Sequence, residues 1–314
     1  MNTSVLIGCD IGGTKTAVVR GTPDGEIHWK HQFQTGAARG FERTYGELTR
    51  TIEQALHAEG PAVRAISVSI GGPLDVLRGV IKGPPNLPGW DDIPLKSMLA
   101  ERFGLPVYVE HDGNAGALAE YFFGAGRGAR NLIFLTLGTG LGAGLILNGA
   151  LYRGTTDTAG EIGHIRAAED GPASYGKRGS FEGFASGGGI ARLAEEMFPG
   201  LWSDPSTLVL HEAARKGSAE ARQVFGRAAL YLGRALALLV DLLNPERIIL
   251  GGLGMRLREV LVNPALEVAG HEALPLAMAA CSVIPAELGE AIGDFASLCA
   301  AIDQGGFAIK EQDR

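Results

Sequence analysis

The sequence contains few cysteines, no run of basic residues and no apolar run long enough to cross a membrane. Its cysteines, Cys9, Cys281 and Cys299, lie far apart, which excludes a disulfide framework and a zinc site built on paired cysteines. A reducing compartment is therefore expected. The first ten residues, MNTSVLIGCD, lack the basic segment of a signal peptide. Together these absences predict a cytoplasmic protein.

The charge balance limits the expected partners. The 28 Lys and Arg residues and the 35 Asp and Glu residues give a net charge of −7 at pH 7. Because no basic patch is present, neither nucleic acid nor an anionic membrane is expected to bind, and small molecules are the expected partners. The 314 residues suffice for two domains, and 46% hydrophobic residues is typical of a globular chain with a large core.

Glycine is abundant, with 47 residues, and one glycine-rich stretch lies near the start of the chain. In VLIGCDIGGTKTAVVR, Val5–Arg20, two apolar runs flank a polar turn, which predicts a hairpin between two strands. After Asp10 the turn contains Gly12, Gly13, Thr14, Lys15 and Thr16. Glycines let backbone N–H groups approach a polyanion, and the threonine and lysine side chains add donors. For this stretch alone, a phosphate-binding hairpin and an ordinary turn both stay open.

A second copy of this pattern favours phosphate binding. In NLIFLTLGTGLGAGLIL, Asn131–Leu147, an apolar run again meets a polar residue, then glycines, then another apolar run. Thr136 takes the place of Asp10, 126 residues later, and is followed by Gly138, Thr139 and Gly140. One hairpin in each half of the chain predicts two related sheets that face each other across a nucleotide.

The remaining pattern predicts an α/β fold. Three antiparallel strands are followed by helix, strand, helix, strand and helix, which indicates a mixed sheet, and the second half repeats this order with longer helices. We predict a smaller N-terminal domain, residues 1–120, joined by a C-terminal helix at about 294–314. Residues 121–293 form the larger domain. Gly251 and Gly252 follow a predicted strand, where backbone can approach a ligand.

Taken in order, the motifs resemble those of the ROK family of sugar kinases and repressors, within the actin-like ATPase superfamily. The resemblance spans Val5 to about Ala301, and its segments are DIGGTK (Asp10–Lys15), GGP (Gly71–Pro73), NLPGW (Asn86–Trp90), Asp112–Glu120, LGTGLGAG (Leu137–Gly144), AGEIGH (Ala159–His164), Glu182 and NPERIILGG (Asn244–Gly252). It implies two actin-like, ribonuclease-H-like domains with mixed sheets flanked by helices, and nucleotide and sugar in the cleft between them. Regulators of the family carry an amino-terminal helix-turn-helix, whereas four residues precede the first strand here, so the kinase branch is expected.

The resemblance implies ATP-dependent phosphorylation of a hydroxyl of a hexose or N-acylhexosamine, and a homodimer is expected. Phosphoryl transfer needs a base for the hydroxyl proton. Asp112 at a predicted helix start can be a simple N-cap, but it matches the catalytic base of the family. Asp10 is expected to hold Mg²⁺, through water. The implied nucleotide-binding residues are Asp10, Gly12, Gly13, Thr14, Lys15, Thr136, Gly138, Thr139, Gly140, Gly251 and Gly252.

The expected sugar contacts combine carboxylates with histidines. From the residues alone, His164 in GEIGH can equally be structural. The resemblance implies that the sugar is bound by Gly72, Asn86, His111, Asp112, Glu161, His164 and Glu182. His111 stands where the family commonly has Asn, and the bulkier, titratable ring leaves sugar specificity open. The segment GPASYGKR, Gly171–Arg178, resembles a P-loop, but Arg178 replaces its Ser or Thr, so we expect a surface loop.

The expected metal content departs from the family. Many members hold zinc with a histidine and three cysteines in a loop of pattern C-x-C-G-x-x-G-C-x-E. Ala173, Tyr175 and Ser180 stand at the three cysteine positions here, so no structural zinc is expected. We predict instead that Tyr175 packs in the core and that Ser180 hydrogen-bonds to backbone.

Two other functions stay open. One is a sugar-sensing binding protein of the same family with weak or lost turnover, which His111 and the altered loop favour. The other is an ATPase of the wider superfamily that acts on protein partners. Asp10, Asp112 and both hairpins argue against the first, and the sugar-type polar residues argue against the second.

Overall fold

A computed structural model of the chain describes residues 4–36, 38, 40–307 and 309. Contacts divide the chain into two units. The first comprises Met1–Gly128, Arg153–Ala159 and Glu290–Arg314, and the second comprises Ala129–Tyr152 and Gly160–Gly289. The sequence did not indicate that the short segment Arg153–Ala159 packs with the first unit. The predicted domains, residues 1–120 with the C-terminal helix and residues 121–293, stay a prediction.

The first unit is built on a five-stranded mixed sheet. Its strands are β1 (Val5–Ile11), β2 (Lys15–Gly21), β3 (Ile27–Gln34), β4 (Val63–Ile70), β5 (Leu74–Asp75), β6 (Val80–Lys82), β7 (Asp91–Ile93) and β8 (Val107–His111). The spatial order is β3-β2-β1-β4-β8; β1 to β3 are antiparallel, whereas β1, β4 and β8 are parallel. Strands β5, β6 and β7 form a small separate sheet. Because β1, β4 and β8 are parallel, their carboxyl ends lie at one edge.

Helices cover this sheet. They are α1 (Phe41–His57), α2 (Leu95–Phe103), α3 (Asp112–Phe123) and the final helix (Ile292–Gly305). Successive β1 side chains point to opposite faces. Ile7 belongs to a core cluster that includes residues of α1 and α2, and Leu6 to one that includes residues of the final helix. Both faces are therefore buried, which explains why successive residues are buried along Val5–Cys9 of β1 and Ala65–Ile70 of β4.

The second unit repeats the sheet pattern. Its strands are β9 (Leu132–Leu137), β10 (Leu141–Leu147), β11 (Ala150–Leu151), β12 (Ala173–Ser174), β13 (Lys177–Arg178), β14 (Arg247–Leu250) and β15 (Ser282–Pro285). The order β11-β10-β9-β14-β15 again places three antiparallel strands beside parallel ones. Both predicted hairpins are present. Within Gly171–Arg178, which we expected to be a surface loop, strands β12 and β13 pair as a two-stranded hairpin.

The second unit contains one long helix, Ala219–Leu243, but the prediction of longer helices throughout this half is wrong, because its other α-helices have 4 to 11 residues. The helices are α4 (Phe181–Ala185), α5 (Gly187–Met197), α6 (Thr207–Arg215), α7 (Ala219–Leu243), α8 (Leu253–Arg256), α9 (Asn263–Glu272) and α10 (Pro275–Ala280), with a π-helical turn at Arg258–Val262. Helix α7 begins where Ser218 accepts the N–H of Ala221 and ends at Asn244, which is left-handed (φ 43°). Across the described ranges, no helix has the length and apolarity needed to span a membrane.

Candidate active site

The first predicted cluster lies at the carboxyl ends of the parallel strands of the first unit. Asp10 pairs in register with Ser69, and Ile70 pairs with His111. Asp112 follows β8 at this edge. A β-carbon built on Gly71, which follows β4, would lie 3.6 Å from Asp112 Oδ2. The Asp112 side chain is 53% exposed. An open carboxylate therefore stands at the strand ends, as a base that must meet a substrate requires.

His111, and not Asp112, caps helix α3. The His111 Nδ1 accepts the N–H of Gly113 at 3.2 Å, and this N–H also donates to Asp112 Oδ1 at 2.7 Å. The same Nδ1 lies 3.2 Å from Asp112 Oδ1, and the other ring nitrogen, Nε2, lies beside Gly72. That nitrogen would lie 2.7 Å from a β-carbon on Gly72, so only glycine fits beside the ring. His111 thus presents Nε2 next to Gly72.

Asp10 lies against the start of the final helix. A β-carbon on Gly293 would lie 2.5 Å from Asp10 Oδ2. Burial and the nearby charge of Asp112 raise the pKa of Asp10 to about 7, and the charge of Asp294 raises this pKa further. A hydrogen bond from Ser69 and the charge of Lys30 lower the pKa in part. A cation near Asp10 would offset this unfavourable environment, so the residue fits the predicted Mg²⁺ role.

The first hairpin forms a tight turn with an exposed tip. The Gly12 N–H donates to the Lys15 carbonyl at 3.0 Å. A β-carbon on Gly13 would lie 2.6 Å from the Asn86 carbonyl oxygen, so this glycine lets the turn approach the NLPGW segment. Thr14 and Lys15 are exposed. Our expectation that Thr16 donates to phosphate is wrong, because Thr16 is buried and its hydroxyl pairs with that of Thr35 at 2.8 Å.

The second hairpin lines a groove of about 490 Å³ in the second unit. Of the predicted nucleotide residues, Gly138, Thr139 and Gly252 line it. The N–H groups of Gly187 and Gly188 donate to the carbonyls of Gly138 and Thr139, so the start of α5 holds this turn. The remaining predicted residues, Thr136, Gly140 and Gly251, lie in the hairpin or just after β14.

Sequence reasoning missed part of this groove. Asp204, Ser206, Thr207 and Arg256 also line it, yet no motif marks them. Thr136 Oγ1 is buried and, within the part of the chain that the structure describes, has no hydrogen-bond partner. A buried hydroxyl without a partner calls for a ligand or a water, but Thr136 is not among the residues that line the groove. The size of the groove and the polar side chains in its lining fit a nucleotide.

Glu161, His164 and Glu182 lie in the second unit, and the glycines of AGEIGH let their loop pack on β10. The Ala143 N–H donates to the Gly160 carbonyl at 2.9 Å. Glu161 and His164 are exposed, whereas Glu182 is only 8% exposed. The Leu141 N–H donates to Glu182 Oε2 at 2.9 Å, and the Ser174 hydroxyl donates to Oε1. Glu182 therefore ties the second hairpin to β12 while retaining lone pairs for a ligand.

The β12–β13 hairpin occupies the place of the zinc loop. Its tip residue Tyr175 is left-handed (φ 49°) and 65% exposed, so the prediction that it packs in the core is wrong. A two-residue hairpin turn requires this backbone conformation and directs the chain away from the core. The Tyr175 and His164 rings meet edge to face, with their centroids 6.3 Å apart. The Lys177 Nζ donates to the His164 carbonyl at 2.6 Å.

Ser180 behaves as predicted, because its hydroxyl accepts the Gly183 N–H at 3.1 Å. Within the described residues, no group of three or more His, Cys, Asp or Glu side chains is arranged to hold a metal ion. The absence of structural zinc stays a prediction.

Comparisons with known proteins identify the family. The model of the ROK family matches residues 6–298. A glucokinase from Thermotoga maritima is 33% identical over 303 residues, covering 92% of this chain and 94% of that protein. A ROK hexokinase structure from Thermus thermophilus has a TM-score of 0.83 and 32% identity, covering 96% of this chain and 99% of that one. A ROK glucokinase from Streptomyces griseus, solved with glucose and AMPPNP, has a TM-score of 0.77 and 31% identity, covering 96% and 100%. The predicted α/β fold class is confirmed, and the chain belongs to the ROK family.

Proposed function

We propose that the chain is an ATP-dependent sugar kinase that phosphorylates a hydroxyl of a hexose or N-acylhexosamine. The observation that carries this proposal is the exposed Asp112 carboxylate at the strand-end edge that also holds Asp10. Support comes from glucokinase and hexokinase relatives that match over nearly the whole chain.

Asp112 acts as the general base. The Gly113 N–H fixes one carboxylate oxygen, and the other can accept the proton of the sugar hydroxyl as the new P–O bond forms. The transition state of phosphoryl transfer is loose, so correct placement of the hydroxyl matters more than nucleophile strength. Glu161, His164 and Glu182 hold sugar hydroxyls, together with Asn86, Gly72 and His111.

The two hairpins bind the phosphates of ATP. Lys15 and Thr14 are exposed at the tip of the first, and the groove beside Gly138 and Thr139 accepts the rest of the nucleotide. Asp10 holds hydrated Mg²⁺, which neutralises phosphate charge when bound. A homodimer, a cytoplasmic location and the absence of nucleic-acid and membrane partners stay predictions.

The second candidate is a sugar sensor of the same family, which the His111 substitution favours. A spectrophotometric ADP-release screen with ATP, Mg²⁺ and a panel of hexoses and N-acylated amino sugars separates the two. A kinase produces sugar-dependent ADP above the ATP-only background. Calorimetric sugar binding without any such ADP would overturn the proposed function and support the sensor.

A further inference from the structure

Glu110, the last residue but one of β8, is a fully buried carboxylate. Its Oε1 accepts the main-chain N–H of His111 and the side-chain amide of Asn114, each at 3.0 Å. Its Oε2 accepts Arg153 Nε at 2.9 Å and the Gln304 amide at 3.2 Å. A buried charge is tolerated only when such donors satisfy it.

Arg153 provides the balancing charge from a distant part of the sequence. Its Nη2 lies 2.7 Å from Glu110 Oε2 and 2.5 Å from Asp303 Oδ2. Gln304 also donates to the Val109 carbonyl at 3.0 Å. The network therefore joins three segments of the first unit: the end of β8, the inserted segment Arg153–Ala159 and the final helix.

The donors on Glu110 Oε1 flank Asp112 in sequence. His111 precedes it, and Asn114, which is 2% exposed, follows it in the first turn of α3. Holding both fixes the backbone from which the Asp112 carboxylate projects. Buried ion pairs add little net stability compared with apolar packing, so fixing a conformation is the better reason for this one. Displacing a catalytic group by about 1 Å can lower the rate roughly a hundredfold.

We propose that Glu110 is a positioning residue, which holds the turn carrying Asp112 in its reactive place with Arg153 as counter-ion; this inference rests on the proposed role of Asp112 as base. Glu110 itself does not touch the substrate. Its loss should lower kcat and leave the KM for ATP nearly unchanged, because the four donors to its carboxylate lie outside both hairpins.

The test compares Glu110→Gln with Arg20→Met. Arg20 is a second buried charged residue of the first sheet, 3% exposed, and it lies far from Asp112 in the sequence. Its guanidinium donates to the carbonyls of Ala58, Glu59 and Pro61. We expect Glu110→Gln to lower kcat about 10- to 100-fold, with a change in the KM for ATP below about threefold. Arg20→Met should lower the melting temperature and leave kcat of the folded enzyme within about twofold of wild type.

Adding Arg153→Met and Asp303→Asn to Glu110→Gln removes the cation together with its second carboxylate partner. Stability should then recover and kcat should not. Recovery of kcat together with stability, or a Glu110→Gln kcat within about twofold of wild type, would overturn the proposal. If Glu110→Gln does not fold, Asn114→Ala removes one of the two donors that Glu110 holds beside Asp112, and a kcat equal to wild type in that variant would overturn the proposal as well.

Hydrogen exchange separates this proposal from the proposed function. In Glu110→Gln the amides of His111 and Gly113 should exchange faster than in wild type and in Arg20→Met. If the wild-type protein phosphorylates no sugar but exchange is still faster in Glu110→Gln, the proposed kinase function is refuted and the positioning role of Glu110 stands. Unchanged exchange in an active kinase would refute the positioning alone.

Discussion

Gly293, the second residue of the final helix, lies directly against the carboxylate of Asp10. A β-carbon at Gly293 would stand 2.5 Å from Asp10 Oδ2, a distance that real β-carbons do not adopt. The final helix and the end of β1 can meet in this way only while position 293 is glycine. The site proposed for Mg²⁺ is therefore shaped by a residue almost three hundred positions away in the sequence.

Gly293→Ala should displace the Asp10 carboxylate and raise the Mg²⁺ concentration needed for half-maximal activity, with a loss of turnover of about tenfold or more. Gly46→Ala in α1 is the matched control, because nothing lies within 4 Å of the β-carbon it adds. Initial rates over a Mg²⁺ titration provide the measurement. Equal Mg²⁺ dependence in the two variants would argue against the role of Asp10.

The raised pKa of Asp10 predicts a pH dependence of stability. In the unfolded chain an Asp carboxyl has a pKa of about 3.9, whereas burial and the charge of Asp112 raise the folded value to about 7. Between these values the folded state keeps a proton that the unfolded state has lost. The free energy of unfolding contributed by Asp10 is therefore greatest below about pH 4 and falls as pH rises to about 7, by on the order of 4 kcal/mol.

Urea denaturation without Mg²⁺ at about pH 5 and about pH 7.5 measures this effect. Asp10→Asn should remove most of the decrease, since the amide does not titrate. Mg²⁺ should stabilise the wild type more than the variant at the higher pH. A decrease of the same size in Asp10→Asn would show that other groups cause it.

His111 should influence the choice of sugar. Its ring lies beside Gly72 and presents Nε2, so His111→Asn, which restores the residue common in the family, should change the ratio of kcat/KM between hexoses by about tenfold. The KM for ATP should stay constant. His28→Asn, an exposed histidine on β3, is the control. Identical sugar preferences in wild type and His111→Asn would remove His111 from the sugar site.

The protein should contain no structural zinc. Ala173, Tyr175 and Ser180 offer no thiolate, and the β12–β13 hairpin is held instead by the Ser174–Glu182 and Lys177–His164 hydrogen bonds. Elemental analysis of protein purified without a metal-binding tag should give well under one zinc per chain. Stoichiometric zinc, with stability lost on chelation, would contradict this expectation.

The features that the sequence predicted depend on local patterns. Both hairpins follow from apolar runs around glycine turns, and α7 from the long run Ala219–Leu243 with apolar residues all round and from the Asn244-Pro245 stop. Features that depend on contacts between distant residues were missed. Arg153 reaches Glu110 across 43 positions, and nothing near Arg153 in the sequence signals a buried partner.

Thr16 and Tyr175 show the same limit at single residues. Residue type suggested a phosphate donor at Thr16, but strand alternation buries it against Thr35. An aromatic residue suggested core packing at Tyr175, but the hairpin turn places it in solvent. In both cases the backbone conformation, which depends on neighbouring strands, decided where the side chain points.

The most direct test of the kinase account compares wild type with Asp112→Asn, by mass spectrometry of the sugar phosphate and calorimetry of ATP binding. The amide keeps the shape of the side chain and an oxygen for the Gly113 N–H, but it cannot take the hydroxyl proton. The account predicts unchanged nucleotide affinity and a turnover lower by roughly two or more powers of ten. Sugar phosphate formed by Asp112→Asn at close to the wild-type rate would contradict it.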